Sequence, residues 1–192
     1  MAIAHKRGIA VRDKILNTAS ELFYYEGIRA VGVDTIVEHS GVAKTSLYRW
    51  FPTKDDLIVA FLKRRDALFW EQWERTSAKH KGKPVQELLA QLQWISRYVT
   101  APKYRGCPFI TAATEFPDDC HSSRAVCLAN KRELRQRLLA LAREIKVDDP
   151  AMVADLLLML IDGAYANSLI LDGPSPAKHL VAAGERLIKA ST

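Results

Sequence analysis

Gly41 stands between two helical patterns that are each too short to survive alone, and this limits the chain more than any other feature. On its N-terminal side, Asp34-Thr35-Ile36-Val37-Glu38-His39-Ser40 follows Val33 and sets Val33, Ile36 and Val37 at 3/4 spacing. On the other side, Val42-Ala43-Lys44-Thr45-Ser46-Leu47-Tyr48-Arg49-Trp50-Phe51 places Leu47, Trp50 and Phe51 on one face. Helices shorter than about 12–15 residues are marginal in water, so the two must fold against each other as a helix-turn-helix with glycine at the corner. Lys44, Thr45, Tyr48 and Arg49 occupy the opposite face of the second helix. Donor-rich side chains of this kind are what a recognition helix offers to phosphates and base edges, which implies an element that reads DNA.

The charge agrees. The net charge is +6 over 192 residues, a balance that suits a polyanionic partner. Residues 1–65 hold 11 Lys/Arg against 7 Asp/Glu (+4), and residues 66–192 hold 17 against 15 (+2), so the excess gathers around the motif. The longest unbroken apolar run, Leu156 to Ile161, is far short of the roughly 20 residues a membrane span needs, and no secretory leader opens the chain. Three cysteines without CxxC spacing fit reduced thiols better than a disulfide framework. The expectation is a cytoplasmic protein without a membrane partner.

Strand signals are almost absent, and helical periodicity recurs in segment after segment. Residues 9–26 carry Val11, Ile15, Ala19, Leu22 and Phe23 on one stripe, and Gly27 sits where a left-handed C-cap belongs. Pro52 breaks the chain after the motif, and Thr53 with Asp56 offers a capping-box start for a helix to about residue 80, about 40 Å at 1.5 Å per residue. Lys79 to Pro84 reads as a loop, followed by helices over about 85–100, 109–115, 120–146, 150–171 and 176–190. The last two are joined by Asp172-Gly173-Pro174-Ser175-Pro176, with Ser175 as N-cap and Pro176 at N1. The chain is expected to be all-α, with about nine helices.

Gly27, Ile36-Val37, Gly41-Val42, Leu47-Tyr48-Arg49-Trp50-Phe51 and Thr53-Lys54-Asp55-Asp56-Leu57 together resemble the N-terminal domain of TetR-type (TetR/AcrR-like) transcriptional repressors over roughly residues 10–65. The resemblance implies a homodimer with a helix-turn-helix DNA-binding domain over 1–53. Residues 54–192 would then form a helical ligand-binding and dimerisation domain, with the fourth helix as connector. It places Lys44, Thr45, Ser46, Tyr48 and Arg49 against DNA, with Tyr48 and Lys54 on phosphates and Thr35 beside them. Gly32 and Ala43 depart from the Ser or Thr often found at these helix starts, so a capping hydroxyl is missing at both. The implied function is that of a ligand-responsive repressor that binds a palindromic operator and is released by a small molecule, apolar or aromatic in character.

Other readings compete at particular residues. Trp50 and Phe51 are read as core rather than as base-stacking rings, and Lys63-Arg64-Arg65 as a solvated helix face rather than a phosphate clamp. Cys120 and Cys127, seven apart with His121 adjacent, and Cys107 leave thiol or metal sensing conceivable, but zinc sites want closer ligand pairs and a fourth partner. Buried small side chains are the reading preferred, with no metal and no cofactor. Trp70, Trp73, Trp94, Tyr98, Phe109, Phe116 and Tyr165 are candidates to line an effector cavity. The helix from Met152 to Ile161 is apolar nearly all round, so Leu156, Met159, Gly163 and Ala166, with Leu180 and Leu187 of the last helix, are candidates for a dimer interface. No nucleophile–base pair or phosphate-cradling glycine loop supports catalysis. The rivals are an architectural or activating DNA-binder without effector and, further off, a helical enzyme or carrier.

Overall fold

A computed structural model describes residues 2–171 and 175–192, and among these residues every regular element is helical. The order is α1 (Ala2–Glu26), α2 (Val33–Ser40), α3 (Lys44–Trp50), α4 (Lys54–Ala78), α5 (Pro84–Val99), α6 (Pro108–Glu115), α7 (Ser122–Ile145), α8 (Pro150–Ile170) and α9 (Leu180–Ala190), with a 3-10 turn over Pro176–His179. Asp172, Gly173 and Pro174 of the expected final joint lie outside the described residues. Ser175 does cap the element after them, accepting the N–H of Ala177 at 3.1 Å, but that element is the 3-10 turn and α9 itself starts at Leu180.

Several helix ends follow from the residues at them. Gly27 and Gly41 take φ of +95° and +61°, values that suit glycine, and Gly41 closes α2 with its N–H on the carbonyls of Val37 and Glu38. Thr53 and Asp56 form a reciprocal box at the start of α4. The Thr53 N–H reaches Asp56 Oδ2 at 3.0 Å, and the Asp56 N–H reaches Thr53 Oγ1 at 3.1 Å. At the end of α7 the N–H of Val147 reaches the Ala142 carbonyl and that of Lys146 the Arg143 carbonyl, a Schellman closure. It forces Lys146 to φ +66°, the one described non-glycine residue at positive φ. Asp149 caps α8 by accepting the N–H groups of Ala151 and Met152.

Packing groups the chain into two units. The first comprises residues 1–66 and 108–127, so it takes in α1–α3, the first half of α4, α6 and the opening of α7. Ile15, Ala19 and Phe23 of α1, Ile36 of α2, Leu47 of α3 and Leu57 and Phe61 of α4 form its core, with Phe23 and Phe61 edge-to-face at 5.7 Å. The sequence pattern starts α1 near residue 9, whereas the helix begins at Ala2. Gly8 lies where a Cβ would come 3.1 Å from the Trp50 ring, so the glycine that weakens the periodic signal is the residue that lets α1 pass α3.

The second unit comprises residues 67–107 and 128–192. Trp73, Leu88, Leu92, Ile95, Leu138, Leu157, Ile161 and Ile188 are buried in it. α9 packs on α5 and α8 through Gly184, where an added Cβ would collide with Leu92. Among the described residues α8 is the one helix long and apolar enough to cross a membrane, a length the count of unbroken apolar residues missed because Asp155 and Asp162 interrupt it. Both carboxylates are paired with cations of the same unit, Asp155 with Arg135 at 2.5 Å and Asp162 with Lys131.

Candidate nucleic-acid interface

The exposed side of α3 is assembled by what its other side buries. Leu47 is fully buried, and Phe51, just past the helix, is 3 % exposed. With these as anchors Lys44, Thr45, Tyr48 and Arg49 must point outward, and all four are exposed, with Ser46 half-buried at the margin. Trp50 is half-buried against α1 and Phe51 lies in the core. Gly32 and Ala43 start α2 and α3 without any side-chain cap, leaving those first-turn N–H groups to other acceptors. Thr35, half-buried on α2, accepts through its carbonyl a hydrogen bond from His39 Nδ1 at 2.8 Å.

Two of the expected DNA contacts are engaged within the protein. Lys44 Nζ lies 2.6 Å from Asp34 Oδ1, and this hydrogen bond and charge raise its pKa above the ordinary lysine value. Lys54 donates to the Arg29 carbonyl at 3.4 Å with Nζ 5.9 Å from the Phe23 ring. Burial lowers its pKa, while the charges of Glu115 and Asp55 pull the other way. Of the Lys63-Arg64-Arg65 run, Arg64 pairs with Asn17 and Arg65 lies 4.3 Å from the Tyr24 ring centroid, so both brace α4 against α1.

The residue that sequence reasoning missed is Glu115, at the end of α6. Its carboxylate accepts the N–H of Ile28 at 3.2 Å and of Arg29 at 2.6 Å, fastening the turn between α1 and α2. The Arg29 guanidinium lies 5.6 Å from the centre of the Phe116 ring, which is stacked on His121 at 4.0 Å. His121 Nε2 is 3.5 Å from Asp55 of α4. No local spacing announces a contact between residues 86 positions apart.

Residues 15–61 fit the family described as bacterial regulatory proteins, tetR family. The transcriptional regulator YjdC of Escherichia coli K12 is 27 % identical over 160 residues, 83 % of each chain. The crystal structure of SCO4454, a TetR-family regulator of Streptomyces coelicolor, superposes with a TM-score of 0.88 at 29 % identity, covering 94 % of this chain and 95 % of that one. Residues 15–61 carry a DNA-binding domain of the tetR family, and over most of its length the chain is similar to TetR-family regulators. It is a DNA-binding transcriptional regulator, and its relatives and fold are those of regulators rather than enzymes. A more distant regulator from Saccharomonospora viridis, solved in complex with choline, shares the fold with a TM-score of 0.74 at 20 % identity, covering 93 % and 95 %.

TetR-family regulators act as dimers with small-molecule ligands. In this chain the seven aromatic candidates for an effector site do not form one set. Phe109 is buried in the first unit and Phe116 belongs to it as well. In the second unit Trp70, Trp73 and Trp94 gather around Phe69, at 4.8, 6.3 and 5.0 Å. Tyr98 and Tyr165 instead flank Tyr104, at 5.5 and 6.3 Å, and burial pushes the Tyr165 phenol well above its ordinary pKa. Of the candidate interface residues, Met159 is 61 % exposed and Ala166 exposed, Leu156, Gly163 and Leu187 are half-buried, and Leu180 is buried in its own unit. Met159, Gly163 and Leu180 line a groove of about 270 Å³ beside α8 and α9. Cys107 and Cys127 are buried and Cys120 is exposed, with no disulfide among the three.

Proposed function

We propose that this regulator is a repressor that binds a palindromic operator as a dimer and is released by a small, apolar or aromatic effector. One observation carries the DNA side: Lys44, Thr45, Tyr48 and Arg49 stand exposed on the side of α3 opposite buried Leu47. In this reading Lys44, Thr45, Ser46 and Arg49 read base edges, Tyr48 and Lys54 meet phosphates, and Thr35 lies at the margin. Two copies of α3 would enter major grooves one helical turn apart, about 34 Å. Residues 1–53 act as the DNA-binding domain and 54–192 as the effector and dimerisation domain, and the protein works in the cytoplasm, where the chromosome is.

The dimer is assigned to α8 and α9. Exposed Met152, Met159, Leu169 and Ile170 give α8 an apolar side that a lone copy leaves in water, and Gly163 allows close approach by a second helix. The choline complex of the distant relative supports a ligand-taking helical domain, and the aromatic groups of the second unit suit an effector of flat shape.

The test selects bound fragments from the source genome and then measures ligand affinity with and without saturating operator. Linkage requires that an inducer bind more weakly in the presence of operator, by the factor with which it weakens DNA binding. Equal affinities would turn the reading toward a regulator without effector.

A further inference from the structure

Gln91, on α5, is fully buried, and both of its N–H groups are used. Nε2 donates to the Trp73 carbonyl at 3.0 Å and to Ser77 Oγ at 3.2 Å. Among the described residues, Gln91 Oε1 is the one buried side-chain nitrogen or oxygen without a hydrogen-bond partner. The amide cannot resolve this by turning over, because Oε1 would then face the Trp73 carbonyl, acceptor against acceptor. A buried acceptor left empty is costly, so native proteins give such an atom a donor.

The setting says what kind of donor. Gln91, Trp94 and Tyr98 follow one another at i, i+3 and i+7 along one stripe of α5. Trp94 lies 5.0 Å from Phe69, which lies 6.3 Å from Trp73, whose carbonyl holds the Gln91 amide. The place for a cation in this group is already taken, since the Arg137 guanidinium sits 4.6 Å from the Trp70 ring centroid and is paired with Glu74 and Glu133. A quaternary ammonium group has no N–H to offer Oε1 and would be repelled by Arg137.

We infer that Gln91 Oε1 is the hydrogen-bond acceptor of an effector site between α4 and α5 whose ligand is a neutral, flat aromatic molecule bearing one O–H or N–H donor. This rests on the effector reading above and narrows it to a chemical class. Specificity comes from the donor, because an aromatic compound of similar shape without one leaves Oε1 empty and is rejected.

The experiment is equilibrium dialysis of the full chain, without DNA, against 2-naphthol and its methyl ether, 2-methoxynaphthalene. The unsubstituted protein is expected to hold 2-naphthol about tenfold more tightly than the ether, the scale of one hydrogen bond. Gln91→Met, with similar length and no acceptor, is expected to bring the two affinities together by loss of naphthol binding. If Gln91→Met fails to fold, as judged by circular dichroism, Gln91→Glu keeps an acceptor and is expected to keep the naphthol preference. The site is overturned if neither probe binds, if both bind equally to the unsubstituted chain, or if the preference survives in Gln91→Met or disappears in Gln91→Glu. Naphthol that binds with the stated preference but leaves operator binding unchanged would strike down the repressor-release reading while leaving the site.

Discussion

The carboxylate of Glu115 holds the backbone N–H of Arg29 at 2.6 Å, and with it the turn that sets α2 against α1. Glu115→Ala leaves the N–H groups of Ile28 and Arg29 without this acceptor. Because the site is half-open to water, the loss is expected to be about 1–2 kcal/mol, at the low end for charge-assisted bonds. Urea unfolding gives the stability and operator titration the second consequence, weaker DNA binding from a loosened α2. Unchanged stability would show that water replaces the carboxylate at no loss.

Substitutions on the DNA face should separate by kind. Tyr48→Ala and Lys54→Ala are expected to weaken binding to operator and scrambled duplex alike, with Lys54→Ala lowering the salt slope by about one phosphate. Arg49→Ala and Lys44→Ala are expected to cost about 1–3 kcal/mol at particular base pairs. Isotherms on both duplexes at several salt concentrations decide this. Operator preference intact in Arg49→Ala would reassign the base-reading face.

The exposed side of α3 was legible in the sequence because helical periodicity is local. Buried Leu47 fixes where Arg49 points, and Thr53 with Asp56 announces the start of α4 within four residues. Glu115 was not legible, since it meets Arg29 through a fold that brings α6 to the DNA-binding helices. The aromatic residues were recognisable as bulk, but whether Trp94 meets Phe69 or Tyr98 meets Tyr104 depends on tertiary packing that spacing does not encode. Gly8 is a related case, since its place beside the Trp50 ring is a tertiary contact that no local pattern announces.

Lys146 in the left-handed closure of α7 gives a stabilising substitution. Lys146→Gly removes the Cβ that this φ disfavours, and a gain of about 0.5–1 kcal/mol is expected in thermal unfolding, net of the glycine's extra freedom in the unfolded chain. A loss would mean that the Lys146 side chain contributes more than its backbone conformation takes away.

Gly184 gives the opposite. Any side chain there must push Leu92 from its place between α5 and α9, and Gly184→Val is expected to destabilise by about 1–3 kcal/mol, as overpacking usually does. Gly184→Val combined with Leu92→Ala should recover part of that loss in the same melting experiment.

The Arg135–Asp155 pair sets a pH dependence. The hydrogen bond from Arg135 holds the Asp155 carboxyl below its ordinary 3.8. Its folded value is lower than its unfolded one, so its contribution is complete above the ordinary value and is lost as pH falls through the folded value. Arg135→Met should therefore differ from the unsubstituted chain in urea midpoint at about pH 7, and the difference should shrink as pH falls below the ordinary carboxyl range. A difference that persists in acid would reflect packing by the arginine stem.

The Lys44–Asp34 pair has a consequence for how the protein finds its site. Away from DNA the ammonium is already matched by a carboxylate 2.6 Å away, so the reading surface presents one fewer unmatched positive charge than its lysine and arginine count implies. Random sequence holds such a surface by charge alone, and each matched charge shortens the visit. On the proposed reading of Lys44 as a base contact, a site that draws it away from Asp34 holds the protein more strongly than one that does not, and the pair favours quick departures from the wrong places.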